Sequence, residues 1–247
     1  MKEVRFFYTP DPQSAALPTE EAQHAVRVLR LQMGDEINLM DGHGTFYRAV
    51  ITEATNHRCR YRIEASEAQH PEWSGAIHLA VAPTKNMDRM EWLAEKATEV
   101  GMDRLTLLDC RFSERRVVKT ERLEKILVSA MKQSHKAWLP QLDEMQPFQR
   151  FIACADLPAQ RFIAHCYDAA SLGSAEGEGE KPFLLDVLQP RTPALVLVGP
   201  EGDFSIDEVR AAEAAGFQSV SLGTSRLRTE TAALVAVHLM RLKNSKL

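Results

Sequence analysis

The sequence predicts an α/β protein preceded by a small β-rich unit. Three observations lead there. From residue 76 onward, short apolar runs alternate with helix-spaced segments, the pattern of a mostly parallel sheet with helices on both faces. Before residue 70, short runs of alternating character are separated by polar turns, as in a small barrel. Late in the chain, two apolar runs each end at a glycine before a helix pattern, at Val198-Gly199 and at Leu222-Gly223. Paired loops of that kind make a ligand crevice at the carboxyl ends of neighbouring parallel strands.

Bulk properties narrow the class. At 247 residues the chain can bury one large core or two modest ones. Its 45% hydrophobic and 26% charged composition is that of an ordinary soluble globular protein. No apolar run approaches the roughly 20 residues a bilayer requires, and the first residues lack the apolar core of a signal peptide. A cytoplasmic protein is expected, with no membrane partner. Cys59, Cys110, Cys154 and Cys166 form no C-x-x-C pair and sit at no zinc-finger spacing, so reduced thiols and no metal are expected. The net charge of −4 argues against a histone-like binder of DNA, but leaves room for a local basic face.

The first unit spans residues 1–70. Thr19 is a candidate cap for a helix to about Leu31, with Ala22, Ala25, Val26 and Leu29 on one side. Strands are expected over Glu36–Met40, Phe46–Thr52 and Arg58–Ala65, with Asp41-Gly42 as a tight hairpin turn. In the last of these, Arg58, Arg60 and Arg62 alternate with Cys59, Tyr61 and Ile63, which puts three guanidiniums on one face. Such a face is either solvated surface or a phosphate-contacting strip, which Arg27 and Arg30 extend. Acidic residues slightly outnumber basic ones here, so only clustering makes the unit an RNA binder. Residues 69–75, with Pro71 and Gly75, form the break.

The second unit spans residues 75–247. It opens with the strand Ile77–Ala82 and a helix capped by Asn86 that runs to Val100 and stops at Gly101. Arg104–Asp109 is the next strand. A basic loop follows, with Arg111, Arg115, Arg116 and Lys119. A long helix is expected from Glu121 to Ala137, then a short helix near Pro147–Ala153, a strand over Arg161–Cys166 and a short helix over Phe183–Leu188. Residues 173–181 read as a solvated Gly/Glu loop.

The two glycine loops carry the chemistry. In Val198-Gly199-Pro200-Glu201-Gly202-Asp203-Phe204-Ser205, the glycines permit a sharp exit and close approach to a ligand, Pro200 stiffens the turn, and Ser205 with Glu208 forms a capping box. Neither phosphate-loop spacing is present. In the second loop, Thr229 is the expected N-cap, placing Glu230 and Thr231 at a helix amino end with Arg228 just outside. Glu230 and Arg228 read equally well as helix-stabilising and surface charges. The final helix is apolar all round, which implies burial on several sides, in a core or at a subunit contact.

These residues resemble a known family. Gly199-Pro200-Glu201-Gly202 with Phe204-Ser205, then Leu222-Gly223 with Leu227-Arg228-Thr229-Glu230-Thr231-Ala232, is similar to the RsmE family of the SPOUT superfamily. His24–Arg30 with Gly34-Asp35, Lys85–Gly101, Ser113-Glu114-Arg115 with Lys119, and Gln133-Ser134 match in the same order. The resemblance implies S-adenosylmethionine-dependent methylation of a uridine N3 in 16S ribosomal RNA. It implies a PUA-like RNA-binding barrel, an α/β SPOUT domain with a C-terminal trefoil knot, and a homodimer. The cofactor would meet Val198, Gly199, Pro200, Glu201 and Gly202 on one loop. It would meet Leu222, Gly223, Leu227 and Arg228 on the other, with Thr231 and Ala232 close by and His165 and Cys166 as a third wall. The chain departs from the family pattern at Asp203, where many relatives have glycine, at Lys136, often arginine, and in the 173–181 loop.

Chemistry then suggests roles. Arg228 would stabilise the anionic base, and Glu201 or Glu230 would accept the N3 proton. The arginine strip and the basic loop would hold the RNA. A non-catalytic RNA-binding assembly factor and a SPOUT enzyme acting on another nucleotide are the competing readings.

Overall fold

Alternation in the first seventy residues becomes one sheet of four strands: β1 (Phe6–Tyr8), β2 (Glu36–Met40), β3 (Thr45–Thr55) and β4 (Arg58–Ala68), in that order. The computed structural model describes residues 5–71, 76–168 and 180–245, so most of the 173–181 loop lies outside the described residues. The chain divides into two units. One is Met1–Pro71 with Val128–Leu139; the other is Glu72–Leu127 with Pro140–Leu247.

In the first unit β1 runs parallel to β2, and the other pairs are antiparallel. No ladder returns from β4 to β1 among the described residues, so the expected barrel is here a four-stranded sheet. β3 and β4 run longer than alternation predicts. Register shifts at Arg48/Ala49 and Ile51/Glu53 let pairing continue past the breaks in pattern. The two-residue hairpin loop is Asn56-His57, not Asp41-Gly42. That turn is longer, held by Asp41 Oδ1, which accepts from the backbone N–H of His43 at 2.7 Å and of Thr45 at 3.0 Å. Phe7, Ile37, Leu39, Ile51, Cys59 and Tyr61 build the core under the sheet.

The expected helix from Thr19 to Leu31 is shorter. α1 (Thr19–Gln23) follows Pro18, without a side-chain cap, and passes into one π turn, His24–Val28. Leu29 N–H bonds to His24 C=O and closes the wide turn. Arg30 then adopts a left-handed φ of 56° that ends the helix, so Arg30 lies beyond it rather than one turn along it.

α3 (Glu121–Gln133) contributes its last turns, from Val128, to the first unit. It stops before Ala137. His135, at φ 51°, donates to Lys132 C=O, and Lys136 N–H reaches Met131 C=O. That double bond is a Schellman stop with histidine in the position glycine usually holds. The chain then runs back along the Asp41–Gly44 turn, with Gly44 N–H bonded to Ala137 C=O and Leu139 N–H to Gly42 C=O.

The second unit is a six-stranded, all-parallel sheet. Its strands are β5 (Ile77–Val81), β6 (Arg104–Asp109), β7 (Gln141–Pro147), β8 (Gln160–Ala164), β9 (Ala194–Val198) and β10 (Gln218–Val220), ordered β10-β8-β9-β5-β6-β7. β5 and β9 are buried at every position, as strands covered on both faces are. β7, QLDEMQP, is too polar to read as a strand and survives because it is an edge. Two short helices follow β7 and precede β9: α4 (Phe148–Ile152) and α5 (Leu184–Val187).

α6 (Ile206–Ala214) and α4 cover one face through Phe148, Phe151, Phe204, Val209 and Ala212. α2 (Met87–Val100) packs on α7 (Thr229–Asn244), which lies against β5 and β9 on the other face. α7 buries Ala233, Ala236, Val237 and Met240, whereas Leu242 is 41% exposed and Ala232, Leu234 and Val235 are half-buried. No helix among the described residues is long and apolar enough to cross a membrane.

Candidate active site

The carboxyl ends of β8, β9 and β10 sit side by side, and each opens into a segment singled out above. After β9, Val198, Gly199 and Pro200 are buried, while Glu201 and Gly202 are exposed. A turn closes by Asp203 N–H to Pro200 C=O, 2.9 Å. Gly199 is required by space: a Cβ there would lie 3.0 Å from the Phe204 nitrogen. Gly202 meets only Phe112 Cβ, at 3.5 Å, so close backbone approach is not its role within the chain. The capping box forms as expected. Ser205 Oγ accepts from Glu208 N–H, and Glu208 Oε2 accepts from Ser205 N–H at 2.8 Å. The other oxygen of Glu208 accepts from Arg111 N–H at 2.8 Å, which ties the basic loop to this helix start.

Asp203 holds the walls together. It takes a left-handed φ of 67°, which aspartate tolerates better than most side chains. Its two oxygens accept from Phe204 N–H and Cys166 N–H, both at 2.8 Å, joining the loop after β9 to the end of β8.

His165, at the end of β8, is buried and both its ring nitrogens have partners. Ser219 Oγ donates to Glu213 Oε1 at 2.6 Å, so the His165 Nε2–H donates to Ser219 at 2.9 Å. The free Nδ1 then faces Lys181 Nζ at 3.3 Å, and the same amine donates to the His165 carbonyl. Burial and the Lys181 charge hold the imidazole neutral, pushed down to about 4. Burial also lowers the Lys181 amine. The Cys166 thiol is raised by burial and by Asp203, against the opposing charges of Lys181 and Arg226. Cys166, Lys181, Asp203 and Arg226 thus share one electrostatic neighbourhood.

The second loop leaves β10 through Leu222, half-buried, and Gly223, whose φ of 125° only glycine adopts easily. Residues 223–226 are exposed and Leu227 is half-buried. The N-cap of α7 is Arg228, with extended ψ of 157°, not Thr229. Thr229 is the first helical residue and is buried, and no side chain caps this helix start. Glu230 and Thr231 follow in the first turn.

Two carboxylates, one on the loop after β9 and one in the first turn of α7, converge on one cation. Arg89 Nη1 lies 3.7 Å from Glu201 Oε1 and 3.7 Å from Glu230 Oε1. Glu201 Oε2 also accepts from Lys85 N–H at 3.1 Å. Arg228 is exposed and forms no part of this cluster. An open groove of about 270 Å³ lies alongside, lined by Asp88, Arg89, Trp92, Glu230 and Thr231.

The basic residues expected to hold RNA divide. In the first unit, Arg58, Arg60 and Arg62 are exposed while Cys59 and Tyr61 are buried, as alternation requires. Arg60 and Arg62 pair with Glu53 and Glu64, and Arg27 and Arg30 are exposed. In the second unit, Arg111 pairs with Asp207, Arg116 with Asp109, and Arg115 donates to Lys85 C=O at 2.7 Å. Lys119 is exposed. Among the described residues no cluster of metal-ligating side chains occurs.

Sequence reasoning gave no role to Arg89 or Lys181, and took Arg226 only as part of the loop from Leu222 to Arg228. Arg89 was signalled only by its place in the matched Lys85–Gly101 segment. Lys181 was assigned to a solvated loop, because nothing in its flanking glycines and glutamates points to a buried amine.

Comparison with known proteins matches residues 71–241 to an RNA methyltransferase domain and residues 17–64 to the PUA domain of RNA methyltransferases. A ribosomal RNA small subunit methyltransferase E from Synechocystis is 30% identical over 91% of this chain and 71% of its own. A Porphyromonas gingivalis structure described as a probable rRNA-methyltransferase is 42% identical, covers 98% of each chain and superposes with a TM-score of 0.88. The Neisseria gonorrhoeae ribosomal RNA small subunit methyltransferase E bound to S-adenosylmethionine is 27% identical over 97% of this chain and 98% of its own, with a TM-score of 0.79.

Proposed function

This chain belongs to the ribosomal RNA small subunit methyltransferase E family of RNA methyltransferases, and from that premise we propose that it methylates N3 of a uridine in 16S ribosomal RNA with S-adenosylmethionine as donor. The observation that carries the reading is the convergence of the β8, β9 and β10 ends, where Asp203 bonds to Cys166 and Lys181 to the His165 carbonyl. The donor set fits the cofactor's chemistry. Asp203 and the two carboxylates on Arg89 suit a sulfonium and an ammonium; Lys181 and Arg226 suit a carboxylate. The exposed backbone of residues 223–226 suits the polar edge of a purine. When bound, S-adenosylmethionine supplies an electrophilic methyl group.

The protein's part is to expose the base, orient it and take its proton. N3 of uracil is a weak nucleophile until its proton leaves, and a target inside a stack must first be turned out. Glu201 or Glu230 accepts that proton, and Arg89 fixes both carboxylates. Arg228, exposed at the start of α7, meets the anionic edge of the base. Arg27, Arg30, Arg58, Arg60 and Arg62, with Lys119 and the arginines near it, contact the RNA backbone. A trefoil knot around the two loops and a homodimer complete the reading, as expected for a SPOUT enzyme.

The test incubates the protein and S-adenosylmethionine with small subunits that lack the modification, followed by mass spectrometry of the 16S RNA. One new methyl on a uridine N3 is expected. A methyl on another atom, or none together with no calorimetric binding of S-adenosylmethionine, overturns the assignment.

A further inference from the structure

We propose that Lys181 receives the carboxylate of the methyl donor, its ammonium held at the end of β8 by a segment that pairs along the edge of β10, and that it selects donors that keep that carboxylate. This rests on the methyltransferase reading above and narrows it to one cation. β10 is the edge of the six-stranded sheet. Just past its last residue, Ser221 forms a parallel bridge with Phe183. Ser221 N–H donates to the Pro182 carbonyl and Leu184 N–H to the Ser221 carbonyl, both at 2.9 Å. Lys181 therefore starts from the outer edge of β10, and its side chain crosses to His165 at the end of the neighbouring β8.

What the amine lacks specifies its ligand. An ammonium has three N–H donors. One goes to the His165 carbonyl and a second faces His165 Nδ1 at 3.3 Å; no hydrogen bond or ion pair takes the third among the described residues. The imidazole is neutral. Asp203, whose charge acts on the amine, already has its two oxygens on the backbone N–H groups of Cys166 and Phe204. A half-buried cation with a donor to spare is stabilised by an incoming anion. S-adenosylmethionine carries one anionic group, the carboxylate of its methionyl part; its sulfonium and ammonium are repelled here. Arg226, the other cation near Cys166, is exposed, so a carboxylate on it stays in water and gains little.

An RNA phosphate is the competing anion. A phosphate in a polymer reaches a half-buried amine only by burying the adjoining sugars as well. The carboxylate at the end of a small ligand meets no such obstacle.

The full-length protein is titrated calorimetrically with S-adenosylmethionine and with its decarboxylated form, S-adenosyl-3-methylthiopropylamine. The wild type should bind the decarboxylated form at least tenfold more weakly, the size of one hydrogen bond between charged groups. Lys181→Met should bind S-adenosylmethionine about tenfold more weakly than the wild type and the decarboxylated form equally well, so that the discrimination disappears. Lys181→Arg should keep most of it. The pairing of residues 182–184 with Ser221 is made by backbone, so the melting of Lys181→Met should stay close to that of the wild type. Discrimination that survives in Lys181→Met, or equal loss of both ligands, overturns the assignment; equal loss would make the side chain a structural strap only. Surviving discrimination together with weaker RNA binding at low salt would give the amine to a phosphate instead. A wild type that binds neither compound overturns the methyltransferase reading along with this one, whereas a wild type that binds S-adenosylmethionine leaves that reading standing whatever Lys181→Met does.

Discussion

At the scale of single residues, Asp203 and Arg89 give the sharpest expectations. Asp203→Ala removes both backbone bonds that join the β8 and β9 ends, and it forces alanine into a left-handed φ. Asp203→Gly relieves the backbone but not the lost carboxylate. Thermal melts should therefore rank wild type, then glycine, then alanine, with alanine lower by about 1–3 kcal/mol. S-adenosylmethionine affinity by calorimetry should weaken in both. Arg89→Ala leaves Glu201 and Glu230 facing each other without their shared cation; loss of methylation with folding retained is expected, and Arg89→Lys should recover only part. His78 and His165 set the response to acid. Burial pushes both imidazoles down to about 4. Below the ordinary value of 6.5 the unfolded chain takes up protons that the folded chain refuses. Stability is then complete above about pH 6.5 and falls as pH drops towards 4. A Tm that stays flat across that interval would refute the buried neutral state.

At the scale of elements, sequence legibility follows the strength of local signals. The capping box at Ser205 and Glu208, the Asn86 cap and the Gly101 stop each place polar groups against specific backbone donors or free a specific φ, so they read directly and form as read. Ser205→Ala should cost about 1 kcal/mol in a denaturant melt. Three features were hidden for physical reasons. The polar β7 exists through ladder bonds to β6, which no pattern within QLDEMQP announces. The end of α3 turns on His135, which takes a left-handed φ more readily than most side chains but far less readily than the glycine that would announce a helix stop. The cap of α7 falls on Arg228, one position before the residue with better capping chemistry, because Arg228 holds the extended backbone of a cap while Thr229 is already helical. Gly44 is a further case. Its φ is 101° and a Cβ there would meet the Trp138 ring at 2.3 Å, so Gly44→Ala should destabilise the first unit by about 1–3 kcal/mol. Tryptophan emission and a melt would both report it.

At the scale of the whole molecule, the alternation of runs was enough to announce a parallel sheet, but the strand order was not legible. Pairings such as β8 with β10 and β9 with β5 join segments far apart in sequence, and they are fixed by packing rather than pattern. The loops after β9 and β10 were legible as a site. Their partners Arg89 and Lys181 were not, since each enters from another part of the chain. Charge distribution yields one more expectation. Several arginines that looked available already face carboxylates, as Arg111, Arg116, Arg60 and Arg62 do. RNA affinity should fall with added salt, but with a slope set by fewer phosphates than the nine candidate cations, read as log Kd against log salt. A slope near zero would rule out the phosphate contacts.

The division of α3 bears on synthesis order. Residues 128–139 belong with the first seventy, yet more than fifty residues of the other unit are translated between them. As the polypeptide leaves the ribosome, the amino-terminal sheet therefore emerges without the segment that bonds to its Asp41–Gly44 turn, and it completes only after β5, α2 and β6 have appeared. Nascent chains arrested shortly after residue 71 should be more protease-sensitive than chains arrested well beyond residue 139. Neither unit is a separate cassette that ends before the other begins.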